Sequence, residues 1–226
     1  MQAIEQIAEG DAAARPVRRT GRSPGRPTRA QVEQRNRELL DKALDHFLEK
    51  GFERTTIDAI TASLGMAKRT VYARYGDKAT LFRAALQRAI DEWIVPVEQL
   101  RAAECEDIEA TLLAIARILI ANIMSPAGLR LMRITNSESY RMPEIGQYSY
   151  RRGTRQTIDY LVDLFTRRID LRGDARADPQ EVALAFLNLV LGEARASAWG
   201  MQLDEALIDR HARFRVSLFL KGLLPR

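Results

Sequence analysis

The spacing of apolar residues constrains this chain of 226 residues more than any other feature. From Thr28 onward, apolar side chains recur at intervals of three and four, which places them on one face of an α-helix. Strand-like alternation is sparse, and no Asn-Gly or Asp-Gly pair marks a hairpin turn. The pattern predicts an all-α protein, and a hydrophobic content of 46% is sufficient for a packed core.

Glycines, prolines and capping residues mark where the predicted helices begin and end. The first covers residues 28–50 and ends at Gly51, a residue suited to a left-handed stop. Two short helices follow, the first capped by Thr55 or Thr56, with Gly65 between them and Gly76 after the second. Asp77 then caps a fourth helix that Pro96 kinks or ends, and five more are predicted over residues 107–124, 126–138, 144–169, 179–199 and 204–222.

This punctuation predicts three regions. Residues 1–28 lack helical periodicity and carry prolines and glycines among five arginines, so we interpret them as a flexible basic arm. Residues 29–82 form a compact helical unit, and residues 83–226 form a larger helical bundle. The first 82 residues hold 15 Lys and Arg against 11 Asp and Glu, which concentrates most of the net charge of +5 at the N-terminal end and favours a polyanionic partner.

Within the compact unit, two short helices meet at a tight turn around Gly65. Gly65 permits this turn, while Ile60 and Val71 are placed to pack the helices together. Such a pair can present its second helix to the major groove of DNA, although the spacing alone fits a solvated helical hairpin equally well. The outer face of the second helix would carry Lys68, Arg69, Thr70, Tyr72 and Arg74.

A family resemblance favours the DNA-binding interpretation. The segment TIDAITASLGMAKRTVYARYGDKATLF, residues 56–82, resembles the DNA-binding signature of TetR-family regulators, and the match extends over roughly residues 35–82. The similarity rests on the Thr70-Val71-Tyr72 step, on Tyr75, on Lys78 and on the Leu81-Phe82 pair. It implies a helix-turn-helix domain that binds a double-stranded DNA operator.

The same resemblance assigns roles to side chains. It implies phosphate contacts from Thr56, Thr70, Tyr72 and Lys78, and base-edge contacts from Lys68, Arg69 and Arg74. Three positions depart from the family pattern. Thr61 and Leu64 replace small alanines, which would shift the packing of the two helices, and Arg74 replaces a frequent histidine.

The arm contains a second DNA-related feature. Residues 18–29 include Gly25-Arg26-Pro27, which resembles an AT-hook that lays Arg26 in a narrow minor groove. The alternative is a disordered tail that adds only non-specific attraction. Either arrangement raises DNA affinity in a salt-dependent way.

For the larger region, the resemblance implies a ligand-binding and dimerisation domain. The last helix carries two apolar stripes, one for the protomer's own core and one for a second copy, so we expect a homodimer. The expected interface residues are Phe186, Leu189, Ala196, Phe214 and Leu218. Candidate contacts to a small-molecule effector, which could equally face water, are Trp93, Arg133, Asn136, Tyr140, Tyr148 and Arg152.

Nothing in the sequence favours catalysis. His46, His211 and Cys105 have ordinary structural interpretations, and the motifs of nucleotide-binding, zinc-protease and serine-hydrolase sites are missing. We therefore expect no enzyme activity, no cofactor and no metal. Polar residues interrupt the longest apolar stretches, and the single cysteine excludes an internal disulfide, so we expect no signal peptide, no membrane partner and a cytoplasmic location.

The sequence is compatible with three functions. The leading hypothesis is a repressor that a small-molecule effector releases from a palindromic operator. The alternatives are an architectural DNA-binding protein without a ligand and an enzyme of helical fold.

Overall fold

The computed structural model describes residues 28–169, 178–197, 200 and 204–223, and within them the regular structure is entirely helical. The expectation for the basic arm with Arg26 concerns residues outside this described part of the chain. In chain order the helices are α1 Arg29–Arg54, α2 Ile57–Leu64, α3 Lys68–Tyr75, α4 Lys78–Trp93, α5 Val97–Ala102, α6 Ile108–Met124, α7 Pro126–Glu138, α8 Pro143–Ser149, α9 Arg155–Arg168, α10 Pro179–Ala196 and α11 Glu205–Leu223.

Most predicted helix starts are confirmed by a capping hydrogen bond. Thr56 caps α2 by accepting from the backbone N–H of Ala59, and Asp77 caps α4 by accepting from that of Thr80. Ser125 and Asp178 cap α7 and α10 in the same way, each directly before a proline in the first turn. These caps fix where each helix begins.

The structure departs from the predicted helices at three places. The first helix continues to Arg54, with Gly51 at φ 77° as a kink inside it. Helix α5, directly after Pro96, was not predicted. The single helix expected over 144–169 is instead α8, a π-helical turn at Tyr150–Thr154, and α9.

One hydrophobic cluster holds the first four helices together. Phe47 of α1 and Phe82 of α4 meet edge to face with their ring centroids 4.7 Å apart, and both are fully buried. Leu131 and Ile134 of α7 and Ile145 of α8 belong to the same cluster. The compact helical unit of residues 29–82, the expected DNA-binding unit, is therefore packed directly against the larger region, and the expected boundary at residue 82 falls inside α4.

A second cluster forms the core of the larger region. Phe165 of α9, Phe186 of α10 and Phe219 of α11 have pairwise ring-centroid distances of 5.1 to 5.9 Å. Trp93, at the end of α4, packs against both clusters. Among the described residues no single helix is long and apolar enough to span a membrane; α6 and α7 meet that test only as a pair, bent by 71°.

A close approach of three helices fixes the position of Trp93. Its indole N–H donates to the backbone carbonyl of Asn122 at 3.0 Å. A Cβ added to Gly128 of α7 would lie 2.7 Å from the carbonyl oxygen of Ile123, 2.8 Å from the indole nitrogen, and closer still to the carbonyl oxygen of Asn122. Gly128 therefore allows α7 to sit against both the end of α6 and the end of α4.

We predict that Gly128→Ala lowers the free energy of unfolding by about 1 to 3 kcal/mol, because the methyl group must displace backbone atoms or the indole. Gly222→Ala is the matched control, since a Cβ there meets open space. Chemical denaturation of both variants measures the difference. Equal stability of the two variants would contradict the close approach of these helices.

Candidate DNA-binding face and effector cavity

The turn between α2 and α3 leaves one side of α3 free. Gly65 adopts φ 59°, and the backbone N–H of Met66 donates to the carbonyl of Thr61 at 3.0 Å. Val71 is the α3 residue buried in the core, against a cluster that includes Ile60 of α2. The opposite side of α3 is exposed and consists of Lys68, Arg69, Thr70, Tyr72 and Arg74, which we call the recognition face.

The cations of the recognition face differ in their surroundings. The Lys68 ammonium lies 2.7 Å from the carboxylate of Asp58 on α2 and 5.7 Å from the ring centroid of Tyr72. The hydrogen bond to Asp58 raises the pKa of Lys68. Arg69 and Arg74 are exposed and form no ion pair with any described residue. These two arginines carry uncompensated charge towards DNA, whereas the charge of Lys68 is partly offset by Asp58.

The hydroxyl groups of three residues in and next to α3 form hydrogen bonds within the protein. The Thr56 hydroxyl accepts from the Ala59 backbone, so its own proton remains available to a phosphate. The Tyr75 hydroxyl donates to the side-chain oxygen of Asn36 on α1 at 2.5 Å, which anchors the end of α3. Thr61, one of the departures from the family pattern, is buried and donates to the backbone carbonyl of Ile57 at 2.9 Å.

Lys78 occupies a structural position. Its ammonium donates to the backbone carbonyls of Phe52 at 2.8 Å and Glu53 at 3.2 Å, and lies 4.4 Å from the Phe52 ring centroid. It thereby closes the C-terminal end of α1 against the start of α4. An ammonium carries three donors, so one remains for a phosphate, and that contact stays a prediction.

A cavity of about 180 Å³ lies where α4 meets α6, α7, α10 and the π-helical turn. Its walls are largely aliphatic, with hydroxyl and amide groups among them. The described lining residues are Ile90, Trp93, Ile94, Val95, Leu119, Asn122, Ile123, Leu131, Met132, Thr135, Asn136, Ser149, Gly153, Thr154, Thr157, Leu187, Leu191 and Arg195. We call it the α4 cavity.

Two of the six expected effector contacts, Trp93 and Asn136, line the α4 cavity. The expectation does not match the structure for the other four. Arg133 is exposed on α7, and Tyr140 is 93% exposed. Tyr148 and Arg152 lie outside the lining because both hydrogen-bond the carboxylate of Asp91 on α4, at 2.8 and 2.9 Å.

Sequence reasoning missed Arg195, which lines the α4 cavity. A signal was present, because Leu187, Leu191 and Arg195 follow one another at intervals of four on α10 and so share a helix face. A cation in line with two buried leucines is an unusual pattern. Within the described residues, no group of three or more His, Cys, Asp and Glu side chains is arranged to hold a metal ion.

The expected interface residues fall into two groups. On α11, Phe214 is 65% exposed and Leu218 is 50% exposed, while the other stripe of that helix, Ala212, Val216 and Phe219, is buried. Leu189 and Ala196 of α10 are half-buried. Phe186 is different, because it is fully buried inside the protomer between other aromatic rings and offers no surface to a second copy.

Two sequence profiles match this chain. The profile of bacterial regulatory proteins of the tetR family covers residues 39–85, which include α2 and α3. The profile of the C-terminal domain of AefR-like transcriptional repressors covers residues 110–222, half of the chain. This chain belongs to the TetR family. It is thus a DNA-binding transcriptional regulator, as the recognition face indicates.

Relatives matched over most of their length agree with this TetR-family assignment. An HTH-type transcriptional regulator of Mycobacterium tuberculosis is 26% identical over 145 residues, 64% of this chain and 69% of the relative. A TetR-family regulator from Mesorhizobium loti has a TM-score of 0.73 at 26% identity, covering 87% of this chain and 98% of that one. The flavonoid-responsive regulator FrrA has a TM-score of 0.67 at 29% identity, covering 85% and 99%. The similarity therefore extends over both regions of the TetR-family fold.

We predict that Arg69→Ala weakens binding to the preferred DNA site by roughly 1 to 3 kcal/mol and relaxes base preference, because an arginine without an ion pair can donate to guanine. Tyr72→Ala should weaken binding to all sequences alike, since the contact expected of its hydroxyl is to a phosphate. Asp58→Asn should strengthen binding, because it releases Lys68 from its ion pair. Fluorescence anisotropy on specific and random duplexes measures all three, and unchanged affinity in the Tyr72 variant would mean that α3 is not the recognition helix.

Proposed function

We propose that this TetR-family regulator is a homodimeric repressor that leaves a pseudo-palindromic operator when a small molecule occupies the α4 cavity. The observation that carries the proposal is that α4 runs without interruption from the recognition motif to the cavity. Its first residue, Lys78, closes α1 next to α3, and its last residue, Trp93, lines the cavity. Its 16 residues span about 24 Å as one rigid element.

The π-helical turn supplies a second link between cavity and helix. Gly153 and Thr154 of this turn line the α4 cavity, while Arg152 of the same turn bonds Asp91 on α4 at 2.9 Å. Turns of this type frequently occur at functional sites. A ligand that moves the turn therefore pulls directly on the C-terminal half of α4.

Two more ion pairs join the DNA-binding unit to the chain around α8. Arg83 of α4 lies 3.1 Å from Glu144, and Glu53 at the end of α1 lies 2.6 Å from Arg141. Each pair is solvent-exposed and contributes little by itself, but together with the buried α7 and α8 side chains they make the segment move with α4. Rotation of this assembly changes the direction of the recognition face.

The exposed stripe of α11 supports the homodimer. Phe214 and Leu218 are large apolar side chains exposed on the surface of α11, and a two-fold partner would cover them. Two-fold symmetry then places two recognition faces on one side of a duplex. An inverted repeat is the DNA sequence that matches such a pair.

The similarity to known proteins supports repression and control by an effector. It identifies neither the operator nor the effector of this chain. The profile matched by residues 110–222 describes repressors, and the structural relative FrrA is described as flavonoid-responsive. Both descriptions fit a DNA-binding protein whose second domain senses a small molecule. The chemical class of the effector is inferred below from the residues that line the α4 cavity.

We predict that the unaltered chain sediments at about twice 25.6 kDa, and that the double variant Phe214→Glu, Leu218→Glu sediments as a monomer at micromolar concentration. Charges on the exposed stripe repel across a two-fold axis and leave the protomer core intact. Tyr140→Glu, which alters an exposed aromatic residue on another surface, should remain dimeric. A monomeric unaltered chain would contradict the homodimer.

We predict that selection from random DNA enriches inverted repeats with half-site centres about 34 to 36 Å apart or somewhat further, because both recognition faces must reach one side of the duplex. Repeating the selection with a cell metabolite extract should reduce the recovered DNA. Enrichment of single half-sites would contradict the two-fold operator. Recovery that no extract alters would favour an architectural DNA-binding protein.

A further inference from the structure

The α4 cavity contains one charged side chain among its described lining residues. The other lining groups are aliphatic side chains, one indole and neutral hydroxyls or amides. Leu187 and Leu191 place Arg195 on the cavity side of α10. The Arg195 side chain therefore borders this apolar space and reaches from it to the exposed Asn188.

Within the described residues Arg195 has no carboxylate partner of the kind that several other arginines have. Its guanidinium donates to the side-chain oxygen of Asn188 at 3.0 Å, and no described carboxylate forms an ion pair with it. By contrast, Arg117 pairs with Asp209, and Arg215 pairs with Glu193 at 3.0 Å. Asn188 is neutral, so the charge of Arg195 is not compensated within the described residues.

The surroundings of Arg195 make this lack of a counterion costly. Burial lowers the pKa of its guanidinium, which means that its charge is partly removed from water. An arginine nevertheless stays protonated in proteins, so the site retains a positive charge. A partly buried charge without a partner is unfavourable, and an anion placed beside it removes that cost.

We propose that the effector is a small organic monoanion, with a carboxylate that binds Arg195 and an apolar body of about one aromatic ring that fills the α4 cavity. This inference rests on the proposed function, since it assigns the chemical class of that effector. The planar guanidinium matches the two oxygens of a carboxylate. The volume is suitable, because a cavity of about 150 Å³ holds benzene and this one measures about 180 Å³.

The same observations favour a monoanion over other ligand classes. A cation would face Arg195 without a described carboxylate to offset the repulsion. A dianion such as a phosphate ester would bring one charge more than the single guanidinium compensates. A neutral ring would fill the volume but leave Arg195 without a counterion. An organic monoanion supplies a counterion for Arg195 and an apolar body that packs against the aliphatic walls.

The test compares acids with neutral amides of the same shape. Isothermal titration of the full chain uses benzoate, phenylacetate and 3-phenylpropanoate, each beside its primary amide. We expect at least one acid to bind at least about tenfold more tightly than its amide, because a charge-assisted pair is lost in the amide. Arg195→Met should remove this preference and Arg195→Lys should retain part of it, while Arg130→Met, which alters an exposed arginine of α7, should change nothing.

Equal binding of acid and amide, full retention of acid binding in Arg195→Met, or failure of all three acids to bind at 10 mM would each overturn the assignment. The acid–amide comparison on the unaltered chain needs no variant, so a folding defect at position 195 does not affect it. Operator binding is measured separately by fluorescence anisotropy with the same acids. An acid that binds through Arg195 but leaves operator affinity unchanged would contradict the proposed effector function and leave the charge assignment standing.

Discussion

Helix α4 contacts two hydrophobic cores at once, and this shared contact connects the two ends of the molecule. Leu81 and Phe82 lie in the core of the DNA-binding unit, and Trp93 packs against both that core and the core of the larger region. Because interiors are close-packed, α4 cannot shift at one end without rearranging side chains at the other. Gly128 tightens this arrangement, since its missing side chain lets α7 press on the end of α4.

The two ends of the molecule that α4 connects also share an electrostatic feature, which is positive charge without a carboxylate partner. On the recognition face, Arg69 and Arg74 form no ion pair within the described residues, which suits a surface that binds phosphates and base edges. In the α4 cavity, Arg195 likewise lacks a carboxylate, but there the surroundings are apolar. Uncompensated positive charge thus occurs at the two places where we propose that ligands bind, DNA at one and an organic anion at the other.

Local chemistry explains which features the sequence could predict. Gly65 and Asp77 act through their own backbone and their immediate neighbours, so the end of α2 and the start of α4 that they mark were confirmed. Helix α5 was missed because six residues after a proline are too few to show a helical period. The TetR signature was recognised because it lies in one short segment of chain.

The cavity could not be predicted in the same way, because its walls come from helices far apart in sequence. Tyr148 is polar and aromatic like many pocket residues, but the position of α4 turns its hydroxyl to Asp91. Periodicity places both Phe186 and Phe214 on apolar stripes, and only the packed structure shows that the first is internal and the second exposed. Burial depends on what lies opposite, and a single sequence does not contain that information.

The central claim is that α4 transmits the state of the cavity to the recognition faces. Spin labels at Ala62→Cys, on the exposed side of α2, in a Cys105→Ser background report the distance between the two DNA-binding units of a dimer. Electron–electron double resonance measures that distance with operator bound and with the tightest-binding aryl carboxylate bound. The account predicts two different mean distances, with only the operator-bound value compatible with half-sites about one helical turn apart. Identical distance distributions in the two complexes would contradict it.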